Sequence, residues 1–327
     1  MAFERLLARI FHQEADGFVL KGGYAMELRF STARATKDID LTCLHRTGTS
    51  DSLMESVIVQ ELRELTRLDL EDYFTFEVGE SCMDLDNAPY GGARYSVSSF
   101  VDRRLFVRFQ LDVGADVIVD EIEQVNGVNW LEYCGIKTPR MRMISVEQQL
   151  AEKLHAYSLP REEKLNSRVK DLIDMLLLIE HRNISVDSFK QTIQKVFKAR
   201  KTHSLPISLN EPPKEWTTLY QALADECGIK QTMVQTFDQI SQFYLQHLRS
   251  LLKACEDKKF IREDFSGESF ASKSFTGCVF ENCIFQESDF RSSYFSECTF
   301  KSCNLHLVKM EGCRFQGVLF DECKIVG

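Results

Sequence analysis

The sequence predicts an α+β core built on a mixed sheet, then an all-α domain, then a solenoid, and three changes of periodicity predict it. Helix and strand signals alternate over residues 1–138, helical stretches follow one another over 139–257, and from 258 to 327 an apolar residue returns at every fifth position. A chain of 327 residues is long enough for two or three such domains.

In the first segment, Phe3, Leu6, Leu7 and Ile10 fall on one side of an amphipathic helix. Phe18-Val19-Leu20 is a short apolar strand ending at Gly22-Gly23, and a helix runs on to Phe30. Ile39 to Leu44 reads as a strand and 52–66 as a helix. Residues 72–78, 93–100 and 104–113 are rich in β-branched and aromatic side chains and read as strands. The second segment holds amphipathic stretches at 145–159, 167–182, 185–200, 213–226 and 231–254. Its loop 202–213 is broken by Pro206, Pro212 and Pro213.

The third segment fits neither the helix nor the strand period. Phe260, Phe265, Phe270, Phe275, Phe280, Phe285, Phe290, Phe295 and Phe300 are spaced by five, and Leu305, Met310, Phe315, Phe320 and Ile325 continue the series. Two positions before each, from Phe280 on, stands a small or β-branched residue, among them Cys278, Cys283, Cys298, Cys303, Cys313 and Cys323. Such a chain turns a corner every five residues with two inward positions per side. It resembles the pentapeptide-repeat family, which implies a right-handed quadrilateral β-helix. The repeats would make about three and a half coils, roughly 4.8 Å apart, with the preceding helix covering one end.

The chemistry concentrates in Lys21-Gly22-Gly23-Tyr24 and Arg34-Ala35-Thr36-Lys37-Asp38-Ile39-Asp40-Leu41. Two glycines between a strand and a helix let backbone approach a ligand closely, and the helix start favours an anion. Asp38 and Asp40 share one strand face and repel each other unless a cation lies between them. Oxygen ligands of this kind suit Mg2+ or Mn2+. A pair of metals on a triphosphate calls for a third carboxylate. Asp112, alternating with Val107, Phe109 and Leu111, is the choice, with Asp116 its competitor. The metal ligands expected are therefore Asp38, Asp40 and Asp112. The nucleotide-binding residues expected are Lys21, Gly22, Gly23, Tyr24, Arg34 and Thr36. Arg34 either holds its loop shut or touches phosphate.

Gly-Gly-x-Ala-x-x-Leu-Arg followed by Arg-x-Thr-x-Asp-Ile-Asp-Leu resembles the AbiEii/AbiGii toxins of type IV toxin–antitoxin systems, within the DNA polymerase beta-like nucleotidyltransferase superfamily. Gln149-Leu150-Ala151-Glu152-Lys153 and Arg168-Val169-Lys170-Asp171 match the further helical motif of those toxins, so the resemblance spans roughly residues 15–180. It implies a nucleotidyltransferase core in 1–138, completed by the helical domain. Lys153 would neutralise triphosphate charge, and Asp171 would orient Lys153 or the acceptor. It further implies transfer of a nucleoside monophosphate from an NTP to an RNA acceptor, a tRNA 3′ end, with growth arrest or phage defence as the result and an antitoxin as partner. A protein hydroxyl or a small molecule is the alternative acceptor. The sequence departs from the family in having Tyr24 where a hydroxyl would follow the second glycine, and in its solenoid tail.

Bulk properties exclude other classes. No apolar run is long enough for a transmembrane helix, and the first residues lack the features of a secretory signal. The repeat cysteines follow the five-residue phase rather than zinc-ligand spacing, so they read as reduced core thiols of a cytoplasmic protein. A net charge of −9 argues against a polyanion-binding molecule as a whole, although Lys190, Lys195, Lys198, Arg200 and Lys201 form a local basic stretch. His155 is expected to pack rather than react. Residues 258–327 carry nine Lys/Arg against ten Asp/Glu. This is too balanced for a DNA mimic and points instead to an interaction module, with a homodimer formed through the solenoid.

Overall fold

The computed structural model describes the chain apart from residues 13–16, 45–50, 85–90, 116–117, 119, 161–167, 182–183, 204, 207–208, 253–254, 272 and 327. Asp116 therefore lies outside the described residues. The chain forms two compact units, Met1–Ser204 with Asn210–Ile240, and Leu205–Leu209 with Ser241–Gly327. The first unit holds the sheet-bearing segment and the helices up to Ile240, and the second holds the rest of the last helix together with the solenoid.

The first unit is ordered α1 (Ala2–Ile10), β1 (Phe18–Lys21), α2 (Gly22–Arg29), β2 (Asp38–Cys43), α3 (Asp51–Thr66), β3 (Phe74–Asp84), β4 (Gly92–Val101), β5 (Arg104–Gly114), β6 (Ile122–Asn126) and β7 (Arg140–Ile144). The helices α4 (Val146–Ser158), α5 (Val169–His181), α6 (Val186–Arg200), α7 (Thr217–Glu226) and α8 (Met233–Leu252) follow. The seven strands make one mixed sheet in the order β3-β4-β5-β2-β1-β7-β6. β2 runs parallel to β5 and antiparallel to β1, while β1 runs parallel to β7.

Strand alternation decides what each face does. Ile39, Leu41, Ala93, Tyr95, Val97, Phe109, Leu111 and Val113 point into a core shared with Leu6, Leu7 and Ile10 of α1 and Ile58 and Leu62 of α3. The other face of the same strands carries Asp38, Asp40, Arg94, Ser96, Ser98, Arg108, Gln110 and Asp112. α1 is also tied down by charge. Arg5 and Arg9, one turn apart, both bind the carboxylate of Asp72 at 2.6 and 2.7 Å with almost no exposure. Burial opposes the ionised form of Asp72, but the two guanidiniums overcome it and lower its pKa. Behind the sheet, Ser145 starts α4 by accepting a hydrogen bond from the Gln148 amide.

The second unit contains the solenoid. Each rung pairs in parallel with the rung 20 residues on, as in Phe275 opposite Phe295 opposite Phe315 and Phe280 opposite Phe300 opposite Phe320. Four five-residue sides make one coil. The rings stack at the strand spacing, with centroids 4.7 Å apart for Phe275/Phe295 and 4.6 Å for Phe280/Phe300. Among the described residues the corners fall at 257, 262, 267, 277, 282, 287, 292, 297, 302, 307, 312, 317 and 322, all with positive φ and only four of them glycine. The thiols of Cys283, Cys303 and Cys323 donate to the carbonyls of Phe260, Phe280 and Phe300, each 23 residues back in the preceding coil. This explains why cysteine recurs there: it is small enough for the interior and still satisfies a carbonyl.

Candidate active site

The site begins where β1 meets α2. Across four adjacent strands one row of Cα partners reads Lys21, Asp40, Asp112, Arg94: Lys21 opposite Asp40, Asp40 opposite Asp112, and Arg94 opposite Asp112. Asp38, two residues before Asp40 on the same face, stands opposite Gln110. Two carboxylates thus meet side by side in the middle of the row, with a cation at either end. Burial raises the Asp40 pKa, Lys21 opposes that rise, and Asp112 adds to it.

The glycines are required by what surrounds them. Gly22 has φ +68°, and a Cβ there would lie 1.8 Å from Asp40 Oδ2; a Cβ on Gly23 would lie 2.7 Å from Thr36 Oγ1. The Gly23 amide points at Asp40 Oδ2, 3.4 Å away. The turn is held from behind by a buried relay. Gln149 Nε2 donates to the Gly22 carbonyl at 3.0 Å, and Gln149 Oε1 accepts from Arg29 Nε at 2.8 Å. Arg29 in turn binds Glu123 and the Ile144 carbonyl, so β6, β7, α2 and α4 jointly fix the turn. Thr36 supports it too: its amide donates to Glu27 and its hydroxyl contacts the Asp38 carbonyl at 3.4 Å.

The helices add a second charged group. Lys153 Nζ lies 3.1 Å from Asp171 and 2.6 Å from Asp174, which are one turn apart on α5. Arg34 reaches Asp174 at 3.0 Å. Burial works against the Lys153 ammonium, but Asp174 and Asp171 outweigh it and hold its pKa above the ordinary lysine value. The Lys153 charge also acts on Asp40, favouring its ionised form.

Lys21, Gly22, Gly23, Thr36, Asp38, Asp40 and Asp112 therefore come together at the turn, with Lys153 and Asp171 coupled to them. Tyr24 does not join them. It is 6% exposed, its ring sits edge-on to Phe3, and burial pushes its hydroxyl pKa up, so it belongs to the core. Of the two roles open to Arg34, the geometry shows the structural one: it is buried against Asp174, and the Ala35 amide beside it donates to Glu226 on α7. His155 packs against Phe197 and bonds Thr202, as expected.

Three residues received no role from the sequence. Asp174 lies one helical turn from Asp171 on the same face, and Gln149 stands in the helical motif before Lys153, so both had a signal. Arg94 had none, because its partner is set by strand pairing. Arg94 grips both Asp112 oxygens at 2.7 Å each, and Asp112, Asp38 and Asp40 all raise its pKa. The three-carboxylate cage expected from the sequence is accordingly not ready-made. Among the described residues no group of three His, Cys, Asp or Glu side chains is arranged to hold a metal ion. Asp38 and Asp40 do suit a hard divalent cation. They offer oxygen donors on one face, a glycine cradle that a Cβ would fill, and a carboxylate disfavoured until a positive charge approaches.

A mixed sheet carrying paired aspartates beside a glycine turn, with a helical lysine behind them, defines a nucleotidyltransferase-like fold. The family model for the AbiEii nucleotidyl transferase toxin of type IV toxin–antitoxin systems matches residues 5–242, and the chain belongs to this family of nucleotidyltransferases. A pentapeptide repeat region matches residues 273–327. Among solved structures the chain is similar to MenT4, a nucleotidyltransferase toxin of Mycobacterium tuberculosis H37Rv, at 15% identity and TM-score 0.45, covering 76% of this chain and 89% of that one. It is similar to JHP933 of Helicobacter pylori at 16% identity and TM-score 0.41, covering 76% and 93%. The tail is similar to QnrB1, a plasmid-mediated fluoroquinolone resistance protein, at 23% identity and TM-score 0.16, covering 22% and 40%. A search of curated proteins finds no significant match.

Proposed function

We propose that the chain transfers a nucleoside monophosphate from an NTP to a hydroxyl of an RNA, a tRNA 3′ end, releasing pyrophosphate. The observation that carries the reading is the row Lys21–Asp40–Asp112–Arg94 lying against a turn whose two glycines have no room for a side chain. Asp38 and Asp40 would hold Mg2+ or Mn2+, with Asp112 as the further ligand. The bound cations would supply charge neutralisation for the entering and leaving oxygens.

The protein's own groups do the rest. Lys21 sits at the start of α2 beside the Gly23 amide, where phosphate oxygens would find a cation and a helix N-terminus together. Lys153 stays protonated, since two carboxylates stabilise its charge, and so brings a permanent positive charge to the triphosphate side of Asp40. Asp171 and Asp174 aim that ammonium rather than act on the substrate. Gln149 fixes the Gly22 carbonyl and keeps the turn from relaxing.

The family description names a toxin of a type IV toxin–antitoxin system, and on that footing the chain would act in growth arrest or phage defence with a cognate antitoxin as partner. No helix among the described residues is long and apolar enough to cross a membrane, and the free thiols suit a cytoplasmic setting. The solenoid would join two copies. Among the described residues its strands Arg314–Gln316 and Leu319–Asp321 have a neighbour on one side only, and Leu319, Ile325 and Val326 are exposed. Incubating the protein with each labelled NTP, Mg2+ and either total RNA, total protein or small-molecule acceptors tests the acceptor. The reading expects label in RNA. Label confined to protein or to a small molecule would replace the RNA assignment with that acceptor.

A further inference from the structure

Arg94 is the one charged group in the central row that the proposed reaction leaves without a task. Its guanidinium makes a two-pronged bond to both oxygens of Asp112, at 2.7 Å each. A carboxylate with both oxygens held in a planar, cationic fork has one lone pair of each oxygen taken and much of its charge neutralised, so it is a weaker ligand for a metal while the fork is closed. Yet Asp40 and Asp112 are direct neighbours across parallel strands, and without a counter-charge their repulsion would fall on a crowded, poorly hydrated site. The Arg94 side chain is 31% exposed, whereas that of Asp112 is 12% exposed. The arginine can therefore leave toward solvent, while the aspartate stays fixed in its strand.

We propose that Arg94 is a resident counter-ion that occupies Asp112 until metal and nucleotide load, and then gives the carboxylate up to the incoming cation. The proposal rests on the metal-dependent reading given above. It adds a positioning residue, one that acts on the metal site through Asp112 and makes metal loading competitive with an internal ion pair. Loading then exchanges one cation for another. Asp112 loses the guanidinium fork and gains the divalent ion, and Arg94, released beside the triphosphate, is free to pair with a phosphate oxygen.

The test is Mn2+ binding to the full-length protein without nucleotide, read from loss of the free-ion electron paramagnetic resonance signal, in wild type, Arg94→Gln, Arg94→Lys and Arg94→Gln/Asp112→Asn. A charged hydrogen-bonded pair of this kind opposes loading enough that Arg94→Gln should bind Mn2+ about tenfold to a hundredfold more tightly than wild type. Arg94→Lys, which keeps the charge but loses the fork, should fall between, and it serves as the readout if Arg94→Gln does not fold. Adding Asp112→Asn should abolish the gain. Unchanged or weaker binding by both single variants, or a gain that survives Asp112→Asn, would overturn the proposal. Asp38→Asn and Asp40→Asn separate this from the underlying reading. If they bind Mn2+ as wild type does, or if no variant binds it, the metal site itself is misassigned. If they lose binding while the Arg94 variants do not gain it, only the counter-ion role fails.

Discussion

Replacing Asp174 by asparagine should destabilise the protein by about 3 kcal/mol. The side chain is 0% exposed and carries two ion pairs, to Lys153 at 2.6 Å and to Arg34 at 3.0 Å. Asparagine keeps the volume, so no cavity opens, and the whole effect is electrostatic. Hydrogen bonds to charged groups contribute roughly 1.5–3 kcal/mol each. One of them survives in weakened form, because the amide oxygen can still accept. What remains is Lys153 with Asp171 as its carboxylate partner and Arg34 facing a neutral amide, which is the situation that makes broken buried pairs costly. For a unit of this size, about 3 kcal/mol lowers Tm by roughly 6–12 °C. The pH dependence sharpens the test. The Lys153 pKa is raised in the fold, so its pairing stabilises fully below the ordinary lysine value and is lost as pH climbs above it. Asp174→Asn should flatten that alkaline loss. Urea unfolding of both proteins across neutral and alkaline pH measures each quantity. A change below about 0.5 kcal/mol, within the range of ordinary surface substitutions, would refute the claim that Asp174 anchors Lys153 and Arg34.

Gly22→Ala should cost about 1–3 kcal/mol from its left-handed backbone alone, and its Cβ would collide with Asp40 Oδ2. Nucleotide transfer should fall to background, and retained activity would show that the turn does not position Asp40. Asp40, with its raised pKa, holds its proton at a pH where an ordinary aspartate has lost it. In the metal-free protein it therefore favours folding below the ordinary carboxylate value and ceases to do so as pH rises through the raised one. Mn2+ must displace that proton, so affinity should drop on acidification before the ordinary aspartate range is reached, and Asp40→Asn should remove this drop along with most of the binding. In the solenoid, burial pushes the Cys303 thiol up to about 12. It should resist iodoacetamide until the protein unfolds, whereas exposed Cys82 and Cys134 react at once; mass spectrometry of the labelled peptides distinguishes the two.

Sequence periodicity was enough for the parts of the fold that depend on local pattern. The strands at 93–100 and 104–113, the helix at 52–66 and the five later helices correspond to β4, β5, α3 and α4 to α8 with shifts of a few residues at their ends, whereas the strand expected at 72–78 runs on six residues further, to Asp84 in β3. The five-residue phase announced the solenoid, because every inward position obeys it. Its corners were not legible, since most of the left-handed residues, such as Asn282, Ser302 and Leu307, are not glycine. β6 and β7 were missed for a related reason. Arg140-Met141-Arg142-Met143-Ile144 has weak strand preference and becomes a strand by pairing with β1 and β6. At the site, Asp38 and Asp40 could be read because two residues on one strand share a face by geometry. What they meet across the sheet depends on register, which one sequence does not carry. Hence Asp112 was expected as a free ligand although Arg94 holds it, and Tyr24 was expected at the phosphate although its ring packs on Phe3.

The central claim is that this site attacks the α-phosphorus of a nucleoside triphosphate. Following α-labelled and γ-labelled NTP side by side, with Mg2+ and total RNA, in wild type and Asp40→Asn, tests it most directly. The account predicts that the α label enters RNA, the γ label leaves as pyrophosphate, and both fates vanish in Asp40→Asn. Transfer of the γ label, or undiminished α-label transfer by Asp40→Asn, would contradict it.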